Sequence, residues 1–321
     1  MAARAGVSVA TVSRVVNQHP GVREPARTKV LAAVAALDYR TNGLARGLAI
    51  GTMRTVGLLI PDVVNPFFPA LARGVEDAAS ADGYAVILGN SDNAPDREAA
   101  YIRLLRDRFV DGIIVASSGA PSALPDLAAE TPLVLLDRRA PGSSAPCVST
   151  DNRAGARLAV EHLLARGHRA IAHLGGPVEL TSAADRRDGY ETALRAAGIE
   201  PDPSWYLPGP FNFESGYERM LRWIETDLPC TAVVAADDMI AVGALQACQD
   251  RGWPVPRRIA IVGFDDILLA RLVRPRLTTV LQPAYLAGTL AWRLLAERLA
   301  DPNAHPADVV LEPRLVVRET T

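Results

Sequence analysis

Residues 55–262 alternate short apolar runs, typical of buried strands, with amphipathic helical segments. The first run, Thr55–Pro61, is followed by a loop, a helix through Gly83 and a second run at Tyr84–Gly89. Runs that are apolar on both faces predict parallel strands joined by right-handed helical crossovers. Few other arrangements bury such strands, so the pattern restricts this part of the chain to the α/β class.

The same order of elements occurs twice. The first set continues with a helix at Pro95–Arg108, a strand at Gly112–Ala116 and a further strand before Asp137. The second set has strands at Ala170–Leu174, Trp205–Leu207, Ala232–Ala235 and Ile259–Val262, and helices at Arg186–Ala197, Glu214–Glu225 and Met239–Arg251. Two such halves predict a body like that of the periplasmic binding proteins, in which two doubly wound α/β subdomains enclose a ligand cleft. The predicted bounds are 55–152 with 283–302 for the first half and 153–282 with 303–321 for the second.

The N-terminal segment, residues 1–54, carries a charge opposite in sign to the rest of the chain. It contains eight arginine and lysine residues and two acidic residues, whereas the remainder contains 26 basic and 34 acidic residues. A basic end on an acidic body is suited to binding a polyanion such as DNA. A solvated basic surface has the same composition, so charge alone leaves both interpretations open.

The pattern within this segment favours DNA, because it predicts a helix-turn-helix. A helix end rich in alanine meets Gly6, which can adopt the positive φ of a sharp turn, and Ser8 is a natural N-cap for the next helix. Val12, Val15 and Val16 form the packing face of that helix. A third helix is predicted at Pro25–Leu37, with a buried stripe formed by Val30, Leu31, Val34 and Leu37.

The outward face of the second helix carries groups that suit the major groove. The small side chains of Val9 and Ala10 can contact thymine methyl groups, and Arg14 can donate two hydrogen bonds to a guanine. Hydroxyl and amide groups on the same helix can reach phosphates, and these belong to Thr11, Ser13 and Asn17.

Two stretches of the N-terminal segment form one ordered pattern, AGVSVATVSRVVN from Ala5 to Asn17 and YRTNGLARGL from Tyr39 to Leu48. They resemble the LacI/GalR (lac repressor/galactose repressor) family of transcription regulators. The resemblance implies a DNA-binding head at 1–42 and a hinge helix within a linker at 43–54. It also implies that Leu48 is a wedge between the central base pairs, for which an ordinary linker leucine is the alternative. The DNA-contacting residues it implies are Ser8, Val9, Ala10, Thr11, Ser13, Arg14, Asn17, Arg23, Asn42, Ala45 and Leu48.

Three features of the N-terminal segment depart from the family pattern. Met1 stands where the family has a valine, and we therefore expect that the true start lies upstream. Arg23 and Ala26 replace a serine cap and a threonine, so two neutral phosphate donors are exchanged for one charged donor. Gly43 and Gly47 each cost a helix about 1 kcal/mol, so the hinge is expected to be disordered without DNA.

The resemblance continues through the body, in stretches such as PDVVNPFF (61–68), AADDMIAVGAL (235–245) and IAIVGFDD (259–266). It implies an effector site between the halves. Carboxylates accept from adjacent hydroxyls, a guanidinium donates a rigid fork and phenylalanines cover C–H faces, so the set suits a sugar or sugar derivative. The implied ligand-binding residues are Asn65, Phe67, Phe68, Asp137, Arg186, Phe211, Asp237, Asp265 and Gln282.

Each part of that set has an alternative interpretation. Phe67 and Phe68 could belong to the hydrophobic core, since an aromatic pair near a strand end is more often packed than exposed to a ligand. Asp265 and the neighbouring Asp266 could cap a helix. Beside Arg186, Arg187 could form a surface ion pair with nearby aspartates at 185 and 188.

Catalytic and metal-binding motifs are missing from the sequence. There is no P-loop, G-x-S-x-G or H-E-x-x-H, and the glycines at 175 and 176 lack the third spaced glycine of a dinucleotide fingerprint. The doublets Asp237/Asp238 and Asp265/Asp266 do not by themselves supply opposed carboxyl groups, because adjacent side chains point in different directions. We therefore expect no catalytic residue and no cofactor.

The histidines and cysteines do not predict a metal site either. The histidines at 162, 168 and 173 share no ligand-like spacing, and the cysteines at 147, 230 and 248 form no C-x-x-C pair. We expect reduced thiols in a cytoplasmic protein, with no bound metal and no membrane-spanning segment.

The resemblance as a whole implies a sequence-specific regulator, expected to be a repressor, whose operator binding is controlled by a small molecule. A two-fold homodimer on a near-palindromic operator follows from the symmetry of such heads. The alternative is a sugar-binding protein or carbohydrate-active enzyme without a DNA function. Sequence-specific, salt-sensitive duplex binding separates the two.

Overall fold

The computed structural model describes residues 1–16, 21–37, 52–108, 110–118, 131–140, 142–227, 229–301 and 303–321. The chain forms two compact units, which we call the head unit (residues 1–53) and the body unit (residues 54–321). None of the helices in the described ranges combines the length and apolar character needed to cross a bilayer.

The described residues of the head unit form three helices, α1 (Ala2–Ala5), α2 (Val9–Val16) and α3 (Glu24–Ala36). Gly6 ends α1 with φ 62°, and at the start of α2 the Ser8 Oγ accepts a hydrogen bond from the Thr11 N–H at 3.2 Å. The predicted helix-turn-helix is therefore confirmed. Its core is formed by Ala5, Val15, Val30 and Ala33.

The buried stripe predicted for the third helix is partly wrong. Leu31 is 53% exposed and Leu37 is 44% exposed. The buried face of α3 is defined by Val30, Ala33 and Val34, which follow the i, i+3, i+4 spacing, and Leu31 lies about 100° around the helix from Val30. Leu37 follows the last helical residue, and its φ of −105° takes it off the helical path.

The first half of the body unit contains a six-stranded sheet in the order β11-β5-β4-β3-β1-β2. Every pairing in this sheet is parallel. Helices cover both faces, with apolar core clusters beneath them. The strands are β1 (Thr55–Ile60), β2 (Ala85–Asn90), β3 (Gly112–Val115), β4 (Leu133–Leu136), β5 (Cys147–Thr150) and β11 (Val309–Leu311), and the helices are α4 (Phe67–Ala81), α5 (Pro95–Asp107) and α11 (Ala284–Ala300).

The second half repeats this plan with the order β12-β10-β9-β8-β6-β7, in which only β12 runs antiparallel to its neighbour. The strands are β6 (Ile171–Leu174), β7 (Tyr206–Leu207), β8 (Ala232–Ala235), β9 (Ala260–Asp265), β10 (Thr278–Leu281) and β12 (Arg314–Val316). The helices are α6 (Asn152–Ala165), α7 (Thr181–Ala196), α8 (Phe213–Glu225), α9 (Asp238–Asp250) and α10 (Leu268–Leu272). The predicted fold class is confirmed.

The predicted division of the body is wrong at its C-terminal end. The prediction places residues 303–321 as a block in the second half, but Val309–Leu311 pairs with Val148–Thr150 in the first sheet. Only Arg314–Val316 joins the second sheet, through Thr279–Leu281. An unpaired edge at β5 would expose a row of backbone donors and acceptors, and β11 covers that edge before the chain crosses over.

Two element bounds differ in ways that matter for the cleft. Helix α7 begins at Thr181 instead of Arg186, and no side-chain cap bond marks its start at Leu180. Strand β9 extends to Asp265 instead of ending at Val262. It passes Gly263, where a Cβ atom would lie 2.1 Å from the Asp238 Oδ1, so only glycine lets the strand continue past that carboxylate.

Glycines allow a close helix pair in each half. A Cβ atom at Gly288 in α11 would lie 2.1 Å from the Leu71 carbonyl oxygen in α4. In the second half, a Cβ atom at Gly243 in α9 would lie 2.1 Å from the Phe213 carbonyl oxygen in α8. Glycine allows the backbones to touch, which holds each pair in a fixed position against its sheet.

His173 in β6 makes the stability of the body unit depend on pH. Its ring is buried, contacts Tyr190 at a centroid distance of 5.0 Å and lies with Nδ1 2.9 Å from the Val234 carbonyl oxygen. Burial lowers the pKa of His173 from 6.5 to about 4. The folded state therefore binds fewer protons than the unfolded state between these values, so stability is lost as the pH falls through that window.

We expect wild type to lose about 3 kcal/mol more unfolding free energy than His173→Gln between pH 7 and pH 4. Glutamine keeps an N–H for the Val234 carbonyl but does not titrate. Urea unfolding followed by circular dichroism at both pH values measures the difference. His305→Gln, a change at the exposed surface, should follow wild type. Equal losses of unfolding free energy in wild type and His173→Gln would show that His173 does not cause the pH dependence.

Candidate functional site

A cavity between the two halves of the body unit lies at the carboxyl ends of their strands, which the parallel topology brings together. All nine residues that the sequence predicted for a ligand line it, namely Asn65, Phe67, Phe68, Asp137, Arg186, Phe211, Asp237, Asp265 and Gln282. Two further lining residues, Arg138 and Ser182, were not predicted. Arg138 is the second residue after β4, and a basic residue close to a strand end was the available signal.

Asp265 and Asp137 occupy turns that few side chains adopt. Their φ angles are 117° and 67°, in the left-handed region, each at or just after the end of its strand. The Gln282 Nε2 donates to the Asp265 Oδ1 at 2.6 Å, and the Arg186 Nη1 lies 3.8 Å from the same oxygen. Strained backbone of this kind persists where the surrounding structure determines the position of a functional group.

Asp237 links the two halves. Its Oδ1 accepts from the Ile240 N–H at 2.7 Å and caps α9, while its Oδ2 accepts from the Asn65 Nδ2 of the first half at 3.2 Å. Burial raises the pKa of Asp237 to about 6, and burial also raises the pKa of Asp265 well above its ordinary value. Carboxyl groups with raised pKa values in a cleft are typical of functional sites.

Two buried guanidinium groups face these carboxylates. The Arg138 Nε donates to the Asp137 Oδ2 at 3.0 Å, and burial lowers the pKa of Arg138. The Arg186 Nε donates to the Asn152 Oδ1 at 2.7 Å, and its Nη1 donates to the Ala236 carbonyl. The Phe211 ring centroid lies 5.8 Å from the Arg186 Cζ and 6.0 Å from the Arg138 Cζ.

The remaining polar groups of the cavity favour a ligand that donates hydrogen bonds. The Gln282 Oε1 is buried and has no hydrogen-bond partner among the described residues. The cavity volume is about 20 Å³, roughly one water molecule. A larger ligand therefore requires the halves to separate, which breaks the bond between Asn65 and Asp237.

The alternative interpretations of these residues have mixed outcomes. Phe67 and Phe68 belong to the core cluster of the first half and also line the cavity. Asp266 does not cap α10, because its carboxylate binds Arg271 and Arg318 and no side-chain bond caps that helix. Arg187 does form a surface ion pair, but with Glu191 at 2.7 Å.

The doublet at Asp237/Asp238 does not form a catalytic pair. Asp238 turns away from the cavity, where it accepts from the Thr279 Oγ1 at 2.5 Å and the Ile267 N–H at 2.9 Å. In the described part of the chain, no group of three histidine, cysteine, aspartate or glutamate side chains is arranged to hold a metal.

The head unit carries the second candidate site. Ser8, Val9, Ala10, Ser13 and Arg14 are exposed on or beside α2, and Arg23 is exposed at the start of α3. Thr11 is half-buried, and its Oγ1 lies 2.9 Å from the Ser8 Oγ. The predicted contacts at Asn17, Asn42, Ala45 and Leu48 lie outside the described residues. The predicted hinge helix, residues 43–49 of the 43–54 linker, lies outside them as well.

Two family descriptions match the chain. Residues 1–42 match "Bacterial regulatory proteins, lacI family", and residues 160–321 match "Periplasmic binding protein-like domain". The ribose operon repressor of Halalkalibacterium halodurans is 38% identical over 321 residues, covering 100% of this chain and 96% of that protein. The HTH-type transcriptional repressor PurR of Proteus mirabilis is 35% identical over 324 residues, covering 100% of this chain and 95% of that protein.

Solved structures match over the same length. The lac repressor dimer bound to operator and the anti-inducer ONPF aligns with a TM-score of 0.89 and 29% identity, covering 100% of this chain and 97% of that one. The transcriptional regulator CelR in complex with cellobiose aligns with a TM-score of 0.79 and 32% identity, covering 100% and 98%.

Proposed function

This chain belongs to the LacI family and is a DNA-binding transcription regulator, not an enzyme, and we propose that it is a cytoplasmic repressor controlled by a carbohydrate. The effector binds in the cavity between the two halves of the body unit. The observation that carries this proposal is the convergence of Asp137, Asp237 and Asp265 with the Gln282 Oε1, which has no hydrogen-bond partner in the described part of the chain.

These acceptors match the chemistry of a sugar. Adjacent hydroxyl groups donate to carboxylates, the fork of Arg186 donates to ring or hydroxyl oxygens, and phenylalanine rings cover the C–H faces. Relatives support this effector class, because one is named a ribose operon repressor and a similar structure contains cellobiose. The PurR relative makes a purine the rival effector.

Effector binding acts on DNA through the separation and closure of the two halves. The bond between Asn65 and Asp237 joins them across the cavity, and a ligand that replaces it changes the balance between open and closed arrangements. The chain passes between the sheets three times, after β5, β10 and β11, so motion of one half is transmitted along the body. Effector binding therefore changes the affinity for operator DNA. By thermodynamic linkage, operator DNA changes the affinity for the effector by the same factor.

We propose that the regulator is a homodimer through the β2 edge of the first sheet. Strand β2 exposes Ile87 and Leu88 along an unpaired edge, and the neighbouring loop exposes Val63 and Val64. A cavity of about 660 Å³ lies beside them between α4 and β2. An exposed apolar sheet edge beside a cavity is typical of a protein interface. The similar lac repressor structure is a dimer.

Leu88→Lys is expected to weaken dimerisation at least tenfold, because it places two charges in the interface of a two-fold dimer. Leu104→Lys on α5, a leucine of similar exposure, is the matched control and should leave the dimer unchanged. Sedimentation equilibrium over a protein dilution series measures both. Equal dissociation constants for wild type and Leu88→Lys would place the interface elsewhere.

The proposed function is tested by operator selection from a random duplex pool, followed by titration with candidate effectors. We expect binding that is at least about 10³-fold tighter for the selected operator than for random duplex and that weakens steeply with salt. Sugars should raise the melting temperature and change operator affinity. If hypoxanthine or guanine raises the melting temperature and sugars do not, the effector is a purine and not a carbohydrate. If the protein binds DNA without sequence preference, the proposal of a sequence-specific repressor is wrong.

A further inference from the structure

A second cavity, which we call the outer cavity, lies beside the ligand cavity on the side of the edge strands β2 and β7. Its volume is about 670 Å³, within the range of about 300–1,000 Å³ that ligand pockets occupy. The loops that follow β1 and β2 line it from the first half, and those that follow β6 and β7 line it from the second. Phe211 lines both cavities, so its ring lies where the two adjoin.

The walls of the outer cavity combine rigid apolar surfaces with polar side chains. Four prolines line it together with Phe211 and the exposed Val178, and the prolines are Pro61, Pro177, Pro208 and Pro210. Proline has a fixed φ, so these loops lose little freedom when a ligand binds. Proline and phenylalanine surfaces suit the C–H faces of a sugar ring.

The charges of the outer cavity disfavour an anion. Three carboxylates line it, at Asp62, Asp92 and Glu179, and no lysine or arginine is among its described lining residues. The ligand cavity, which we also call the inner cavity, contains two arginines, each beside a carboxylate. The Arg138 Nε lies 3.0 Å from the Asp137 Oδ2, and the Arg186 Nη1 lies 3.8 Å from the Asp265 Oδ1. Asp92 forms an ion pair with Arg97, but the carboxylates of Asp62 and Glu179 would repel a phosphate or sugar acid in the outer cavity.

We propose that the outer cavity is a subsite for the second unit of the effector, which is therefore an uncharged disaccharide or glycoside. The inference rests on the proposed carbohydrate function. The first ring lies among Asp237, Asp265 and Gln282, and the second lies between the proline-rich loops with the Phe211 ring at the junction. Loops of both halves contact the second unit, so it contributes to holding the halves together.

Val178→Trp tests this subsite, because it fills the outer cavity without touching the inner one. Val178 is 59% exposed, and Val310→Trp on β11, at 60% exposure, is the matched control outside both cavities. The probes are maltose, cellobiose, lactose and trehalose, their monosaccharides glucose and galactose, and glucose 6-phosphate and gluconate. Calorimetric titration of the full chain measures affinity, and circular dichroism melts check folding.

We expect at least one disaccharide to bind at least tenfold more tightly than its constituent monosaccharides. Val178→Trp should weaken that disaccharide at least tenfold and the monosaccharides less than twofold, whereas Val310→Trp changes neither. Monosaccharides binding as tightly as every disaccharide, equal losses for both in Val178→Trp, or tighter binding of the phosphate or acid would overturn the subsite and leave the proposed function standing. If no carbohydrate binds, both proposals fail.

Discussion

Asp265→Asn is expected to weaken effector binding by about two orders of magnitude while operator binding is retained. The substitution removes the charge that a ligand hydroxyl and the Arg186 guanidinium share, 3.8 Å from the Arg186 Nη1. Hydrogen bonds to a charged acceptor are about twice as strong as neutral ones, and a loss of about 2.7 kcal/mol corresponds to a hundredfold change in Kd. Calorimetric titration with the effector measures the loss, and anisotropy with operator DNA measures the retained function.

Asparagine is the informative substitution at this position. Asp265 has a φ of 117°, which alanine would adopt only with strain, whereas asparagine tolerates positive φ better than most residues. Asparagine also keeps the size of the side chain and an acceptor oxygen for the Gln282 Nε2, so the substitution should not unfold the protein. Asp227→Asn is a matched control, because Asp227 also has a positive φ, of 45°, but is exposed at the end of α8.

A variant that binds effector normally would show that Asp265 only closes the turn at the end of β9. Loss of both effector and operator binding would indicate a general loss of structure, which an unfolding curve identifies directly. The prediction therefore separates a ligand contact from a structural aspartate.

The location of the cleft could be predicted from sequence because it depends on topology. Apolar strand runs such as Thr55–Pro61 are recognisable one at a time, and the carboxyl ends of parallel strands must meet at one edge. Polar residues that follow those runs, such as Asp137 and Asp237, are therefore gathered whatever their exact angles. All nine predicted lining residues reached the same cavity for this reason.

Adjacent residues of like charge were the part that the sequence could not resolve. Arg138 is buried against Asp137, whereas Arg139 forms a surface ion pair with Asp308. Arg186 and Arg187 divide in the same way, with the second bound to Glu191, and here the family resemblance assigned Arg186 to the ligand site correctly. Which arginine of each pair points inward depends on the turn after the strand or on where the helix begins. Helix α7 begins five residues before its predicted start, so the direction of its side chains could not be worked out from the predicted bounds.

Pairing between distant segments was the other limit. Val309–Leu311 and Arg314–Val316 are separated by two residues, yet they join different sheets. Nothing in a short apolar run states which edge it will cover, because that choice depends on the unpaired edges left by strands far away in sequence. The predicted second half was therefore too long at its C-terminal end.

Arg14→Ala is expected to remove most of the discrimination between operator and random duplex while changing non-specific affinity little. Arg14 is exposed on α2, whereas its neighbour Val15 is buried in the core of the head unit. A bidentate contact from arginine to guanine contributes about 1–3 kcal/mol of discrimination, and a two-fold dimer loses two of them. Anisotropy titrations with selected operator and random duplex at several salt concentrations measure the ratio of affinities. Arg4→Ala, at an exposed arginine in α1, is the control for the loss of one positive charge.

The salt dependence decides what Arg14 contacts. If Arg14 reads a base, the affinity ratio falls and the slope of log K against log salt for random duplex stays near that of wild type. If it binds phosphate, affinity for both duplexes falls together and the slope decreases by about one for each head. The second result would contradict our assignment. It would leave base recognition to the small side chains of Val9 and Ala10, which can contact thymine methyls but provide no donor for guanine.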